Sequence, residues 1–195
     1  MIDSAALLRL LEESGALKQG HFLLSSGLHS SAYVQCALLL EDPLRARQIG
    51  EELAALLAPL EPQSVLSPVL GGLIIGHETA AALGVPFRFT ERAEGQMELR
   101  RGFSLQRGER IVIVEDVVTT GRSSGEAASV AKGYGVELLG VGAILDRTAG
   151  RGDLSVPLVA LMQLDLPAYP AAACPLCEQG GEPEKPGSRS RAGSS

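Results

Sequence analysis

The run Ile111-Val112-Ile113-Val114 is four β-branched residues with no polar alternation, and it is followed at once by two carboxylates, Glu115 and Asp116. A strand exposed to water on one face alternates apolar and polar residues. A strand that does not alternate is covered on both faces, which places it inside a parallel sheet with helices on either side. Similar apolar runs occur at Ser64–Ser67, Val85–Phe89, Leu138–Leu145 and Val156–Met162. Between them lie segments of helical period, Leu73–Leu83 closed by Gly84, and Ser123–Tyr134. Strand and helix in alternation, joined by right-handed crossovers, give a doubly wound α/β domain with a mainly parallel sheet.

Two further helices precede this core. Asp3 or Ser4 caps one that runs through Glu13 and stops at Gly15; Asp42-Pro43 starts another that carries Ile49, Leu53, Leu56 and Leu57 and stops at Pro59. Residues 22–34 are rich in Ser and Gly and read as a loop or short strands. Glu91–Arg110 reads as a long charged loop, a length that in a compact domain points to function or disorder. Beyond Pro167 the chain turns rich in Pro, Ala and Gly, and Gly187–Ser195 is expected to be a frayed tail. The expected division is 1–40, an N-terminal helix and hood; 41–166, the core; and 167–195, a C-terminal extension.

Charge narrows the partners. Seventeen Lys and Arg against 23 Asp and Glu leave a net charge of −6, with no global attraction for nucleic acid or an anionic membrane. No apolar run reaches the roughly 18 residues of a membrane span, and Met1-Ile2-Asp3-Ser4 is unlike a signal peptide. Three cysteines do not make a disulfide framework, so a cytoplasmic location is expected. An anion bound by such a chain has to be held by a local device.

That device lies after the most confident strand. Asp116-Val117-Val118-Thr119-Thr120-Gly121-Arg122-Ser123 is a hydroxyl-rich turn that opens a helix. Backbone N–H groups, the hydroxyls of Thr119, Thr120 and Ser123, and the helix dipole can surround a phosphate, while Gly121 lets the backbone come close. Glu115 and Asp116 would repel that phosphate, so they suit the other end of a sugar phosphate, where carboxylates bond ribose hydroxyls and stabilise developing positive charge. The turn lacks the Gly-Lys-Ser/Thr ending of a P-loop.

This stretch resembles the phosphoribosyl-pyrophosphate (PRPP) motif of the type I phosphoribosyltransferases. The resemblance implies that Val117 to Ser123, Arg122 included, form the PRPP loop, and that Glu115 and Asp116 contact the ribose. It also implies that the turn Ser67-Pro68-Val69-Leu70-Gly71-Gly72 brings Gly71 and Gly72 to the pyrophosphate. Phe22-Leu23-Leu24-Ser25-Ser26-Gly27-Leu28-His29-Ser30-Ser31-Ala32-Tyr33 further resembles the hood signature of the orotate phosphoribosyltransferases, with Gly15-Ala16-Leu17 before it and Asp146-Arg147 matching downstream. Orotate-binding residues implied by this likeness are Ser26, Gly27, Tyr33, Thr119 and Arg147. An arginine can pair with the orotate carboxylate.

The resemblance also implies substrates and assembly. Orotate and PRPP would give orotidine 5'-phosphate and pyrophosphate, with Mg²⁺ riding on PRPP and no dedicated protein cage. The Glu91–Arg110 loop would close over the site of a neighbouring subunit in a homodimer, with Arg92, Arg100 and Arg101 as the catalytic cations. Many members carry Lys at the place of Ser25 and near Gly71, and Lys and His in the closing loop. This chain has only Lys18, Lys132 and Lys185, so arginines are expected to take over. A purine-type phosphoribosyltransferase would keep the PRPP loop but lack this hood. A PRPP-sensing regulator that binds nucleic acid would call for a basic face.

Cys174-Pro175-Leu176-Cys177 is a single CxxC, and His21, His29 and His77 show no paired ligand spacing. A zinc site needs about four ligands, so no metal site is expected there and the two cysteines are read as plain tail residues. Cys36 is expected in the core.

Overall fold

In the computed structural model the described residues are 2–24, 26–148, 150 and 154–186. The expected tail Gly187–Ser195 and the position of Ser25 lie outside them. A six-stranded sheet carries the core. In chain order its strands are β3 (Ser64–Pro68), β4 (Phe87–Ala93), β5 (Gln96–Leu99), β6 (Arg110–Val118), β7 (Glu137–Asp146) and β8 (Leu158–Gln163), arranged in space β5-β4-β3-β6-β7-β8. All neighbours pair in parallel except β4 and β5. This is the expected doubly wound α/β architecture.

The β-branched run explains itself once both faces of β6 are traced. Val112 and Val114 join one apolar cluster with Leu7 and Leu11 of α1 (Ser4–Glu13), Ile49, Leu53 and Leu57 of α3 (Pro43–Leu57), and Ile75 of α4 (Gly72–Leu83). Ile111 and Ile113 join a second with Ala127, Ala128 and Ala131 of α5 (Arg122–Gly133). All four strand residues are fully buried, so every position is apolar because every position faces a helix layer. The caps read from sequence are present: Asp3 accepts from the Ala6 N–H at 2.7 Å, Asp42 accepts from Leu44 at 2.9 Å ahead of Pro43, and Gly84 ends α4 with φ of 70°.

A second, three-stranded sheet forms the hood. Residues 22–34 are more regular than a loop: β1 (Leu17–Leu23) and β2 (His29–Val34) make an antiparallel hairpin. The third strand, β9 (Ala168–Tyr169), comes from the C-terminal extension and pairs with β2 at His29 and Ser30. A short helix α2 (Cys36–Leu39) leads from the hood into the core, and α6 (Pro175–Glu178) lies in the extension. The extension is anchored further: Ser30 Oγ donates to the Pro167 carbonyl at 2.8 Å, and Glu184 exchanges backbone bonds with His21 and Leu23.

Two expectations need correction. Glu91–Arg110 is not a single long loop: β4 runs on to Ala93 and folds back through Glu94-Gly95 into β5, pairing Thr90 with Leu99 and Arg92 with Met97. Both turn residues have positive φ, 50° and 86°, the geometry a two-residue hairpin turn requires. Charged side chains hid the alternation, because this ribbon buries little of either face. The strand expected at Val85–Phe89 begins two residues later, since Pro86 donates no ladder hydrogen bond.

Candidate active site

In a parallel sheet all C-terminal strand ends meet at one edge, and ligands bind there. Three loops come together at that edge: the one after β3 with Gly71 and Gly72, the one after β6 with residues 119–121, and Arg147 after β7. They touch. The Arg147 N–H donates to the Val118 carbonyl at 2.8 Å. A Cβ on Gly71 would lie 2.5 Å from Asp116 Oδ1, and one on Gly72 would lie 2.7 Å from the Val114 carbonyl oxygen. The two glycines are there because β6 and its carboxylate leave no room for a side chain. The Val69–Leu70 peptide in this turn is cis.

The loop after β6 has the shape the sequence suggested. Glu115, Val117, Val118, Thr119, Thr120, Gly121, Arg122, Ser123 and Ser124 enclose a small cavity of about 50 Å³. Gly121 has φ of 76° and its carbonyl accepts the first helical bond of α5, from Gly125 at 2.7 Å. The N–H groups of the first turn are thereby aimed into the loop. Thr119 and Thr120 are exposed and available to a ligand.

Of the carboxylates beside it, Glu115 is buried and Asp116 half-buried. Glu115 is 7% exposed and its Oε1 accepts from Ser124 Oγ at 3.1 Å. Burial, with Asp116 adjacent, pushes its pKa up to about 8 against a partly offsetting bond from Ser124. Burial raises Asp116 as well, although its Oδ1 accepts from the Val117 N–H at 2.8 Å. Burial thus shifts both acids toward the protonated form relative to a free carboxylate.

Arg147 is half-buried and makes no ion pair among the described residues; its Nε is buried without a hydrogen-bond partner. Burial lowers its pKa, opposed by Tyr33, Asp165 and Cys36 nearby. The Asp146 carboxylate does not take it: Asp146 accepts from the Thr148 N–H at 2.8 Å instead. Asp153, the other acid considered as a partner, lies outside the described residues. Tyr33 donates to Gln35 at 3.0 Å, and burial first and Asp116 second raise its pKa. Hood, β6 carboxylate and β7 arginine thus share one electrostatic environment. Ser26 and Gly27 sit exposed at the hairpin tip, with the Gly27 N–H bonded to Leu24.

The expected cations of the β4–β5 region are held by the chain's own acids. Arg92 pairs with Glu126 on α5, which also binds Arg122 Nε at 3.0 Å. Arg101 pairs with Glu91 at 2.9 Å and sits 5.8 Å from the centre of the Phe89 ring; Arg100 is 3.9 Å from Glu98. Of these three, only Arg92 is brought against α5, the helix that follows the 119–121 loop. Sequence reading missed Ser124 and Glu126. The signal for Glu126 was present as an Arg122–Glu126 pair at i,i+4 spacing. Ser124 is placed by the pitch of α5, one residue beyond the turn motif.

Comparisons with known proteins agree with this geometry. Residues 40–161 match the phosphoribosyl transferase domain family. An orotate phosphoribosyltransferase of Thermotoga maritima is 49% identical over 180 residues, covering 92% of this chain and 96% of the relative. One from Desulforamulus reducens is 43% identical over 183 residues, covering 94% and 96%. The crystal structure of orotate phosphoribosyltransferase from Aeropyrum pernix superimposes with a TM-score of 0.68 at 27% identity, covering 81% of this chain and 93% of that one. With relatives 43–49% identical over nearly the whole chain, the chain belongs to the orotate phosphoribosyltransferase family.

Proposed function

We propose that the protein transfers the 5-phosphoribosyl group of PRPP to orotate, giving orotidine 5'-phosphate and pyrophosphate. The observation that carries this reading is the convergence of Glu115–Asp116, the 119–123 loop and a half-buried arginine with no ion-pair partner among the described residues at one sheet edge. The 5'-phosphate enters the loop cavity, where Thr119, Thr120, Ser123 and the α5 N–H groups bond it. Glu115 and Asp116 accept from the ribose hydroxyls. As pyrophosphate leaves toward Gly71 and Gly72, their charge stabilises the positive ring while the orotate nitrogen attacks. Arg147 binds the orotate carboxylate beneath Tyr33, Ser26 and Gly27. Positioning and charge supply most of the rate.

Mg²⁺ would be held mainly by PRPP oxygens beside Glu115 and Asp116, and would supply neutralisation of charge on the leaving pyrophosphate. The hard oxygen donors of Glu115 and Asp116 suit a cation that shares its ligands with substrate oxygens. Arg92, Arg100 and Arg101 reach pyrophosphate only by giving up their present acids, as a closing hairpin would require. Arg100 and Arg101 are exposed at the base of that hairpin, where a second copy of the chain in a homodimer can receive them. Residues 1–40 supply the N-terminal helix and hood, 41–166 the catalytic core and 167–195 the C-terminal extension. No helix of the described residues is long and apolar enough to cross a membrane. The three free cysteines support a cytoplasmic setting.

The test is orotate absorbance on mixing the protein with orotate, PRPP and Mg²⁺. Consumption of orotate, absent with adenine, hypoxanthine or uracil, supports the reading. Turnover of a purine instead would discard the hood assignment, and PRPP binding without any turnover would make the protein a sensor.

A further inference from the structure

Residue spacing alone points to no metal site outside the substrate, yet the fold gathers four ligand side chains that are far apart in the chain. His21 on β1, His29 on β2, Cys174 at the N-cap of α6 and Cys177 within α6 place their ligand atoms within 4.8 Å of one another. His21 Nε2 lies 2.9 Å from His29 Nδ1, 3.5 Å from Cys174 Sγ and 3.8 Å from Cys177 Sγ; Cys177 Sγ lies 3.3 Å from His29 Nδ1. Tetrahedral zinc with Zn–S of about 2.3 Å and Zn–N of about 2.0–2.1 Å sets S···N edges of about 3.5 Å and an N···N edge of about 3.3 Å. The three S···N distances straddle that value, and the nitrogens need only part slightly.

The surroundings prepare the ligands. His21 Nδ1 is 2.9 Å from the Gly181 carbonyl, which can only accept. The proton is therefore on Nδ1, and Nε2 presents its lone pair to the cluster. A ligating histidine held by a backbone carbonyl on its other nitrogen is the usual outer arrangement of zinc sites. His29 is 6% exposed and Cys174 1%, so water does not compete freely for the centre.

Apart from the Ser30 and Glu184 hydrogen bonds, the extension has little apolar attachment of its own. Among the described residues beyond Pro167, Cys174 is the only one that is buried, and β9 contributes only two residues of pairing. A segment with so little core is held by covalent or metal links when it is held at all. We propose that His21, His29, Cys174 and Cys177 bind one structural Zn²⁺ that clasps the C-terminal extension to the hood hairpin. Two imidazoles and two thiolates in a closed tetrahedron select zinc and leave no open position for catalysis. Binding converts two thiols to thiolates and releases their two protons. His21 and His29 stand at the two ends of the stretch that carries Ser26 and Gly27, so the clasp fixes the root of the hairpin tip. Any effect on orotate rests on the function proposed above; the metal site does not.

The experiment is metal analysis of the full chain purified without chelator, followed by Co²⁺ titration of the demetallated protein. The expected result is one zinc per chain, and for cobalt the intense visible bands and thiolate charge-transfer absorption of a tetrahedral S₂N₂ site. Cys174→Ser and Cys177→Ser should each cut the charge-transfer band by about half, the double variant should abolish it, and each should weaken zinc by more than the about 10–100-fold of an outer-shell change. His77→Ala, an exposed histidine outside the cluster, should change nothing. Zinc should raise the thermal midpoint of the wild type and not of the cysteine variants. Failure of the wild type to take up zinc at micromolar concentration, a cobalt spectrum indifferent to both cysteine substitutions, or a Cys174–Cys177 disulfide in the freshly purified protein would overturn the proposal. None of these readouts depends on which base the enzyme uses.

Discussion

Replacing Glu115 by Gln isolates the energetic consequence of burying an acid in the ligand-free site. Glu115 has its pKa moved from 4.5 to about 8, first by burial and then by Asp116. Between those values the native state holds a proton that the unfolded chain has released. The unfolded state binds fewer protons, so wild-type stability falls as pH rises through this window and levels off above about 8. At about 1.4 kcal/mol per pKa unit, the loss at pH 7 is roughly 3 kcal/mol relative to pH 4, and above pH 8 it approaches roughly 5 kcal/mol as an upper figure. Gln is close in volume, remains neutral, and its carbonyl can accept the Ser124 hydroxyl bond that Glu115 accepts now. The variant should match wild type near pH 4 and exceed it increasingly toward pH 8. Asp116, also raised by burial, contributes to both curves, so their difference reports Glu115. Urea unfolding at half-unit pH steps, with m-values checked for constancy, gives that difference directly. Curves that run parallel from pH 4 to 8 would show that Glu115 ionises normally in the folded protein and would refute the reasoning.

Three substitutions test the proposed chemistry. Asp116→Asn should cut turnover roughly 10-fold or more with the fold retained; steady-state kinetics beside a thermal scan check both parts, and wild-type turnover would remove its role. Arg147→Ala should raise KM for orotate by roughly 10-fold or more while leaving KM for PRPP nearly unchanged, because a charge-assisted bond of about 1.5–3 kcal/mol is lost to one substrate only. Equal changes in both would place the base elsewhere. Gly71→Ala puts a methyl group 2.5 Å from Asp116 Oδ1 in an exposed turn with ordinary φ. It should lower kcat/KM about 10-fold through the displaced carboxylate and shift the thermal midpoint little, a split that kinetics and calorimetry read separately.

What the sequence made legible was what local physics determines. The unbroken Ile111–Val114 run required two covered faces, and the two clusters on either side of β6 supply them. Asp42-Pro43, Gly84 and the Thr119–Ser123 turn announce their structure within a few residues, so their reading held. Glu91–Arg110 misled because its alternation is carried by Glu and Arg, and only the Glu94-Gly95 turn betrays the hairpin. The histidine–cysteine cluster was beyond local reading for a different reason. Its ligands are 8 residues apart in one half and 3 in the other, with a separation of 153 between His21 and Cys174, and neither half resembles a complete site. What joins them is the return of the extension to β2 at His29–Tyr169, a pairing of two residues too short to leave a pattern. A short strand that could not hold the extension alone sits next to a cluster whose metal would hold it, so the weakness of the sequence signal and the need for the clasp have the same origin.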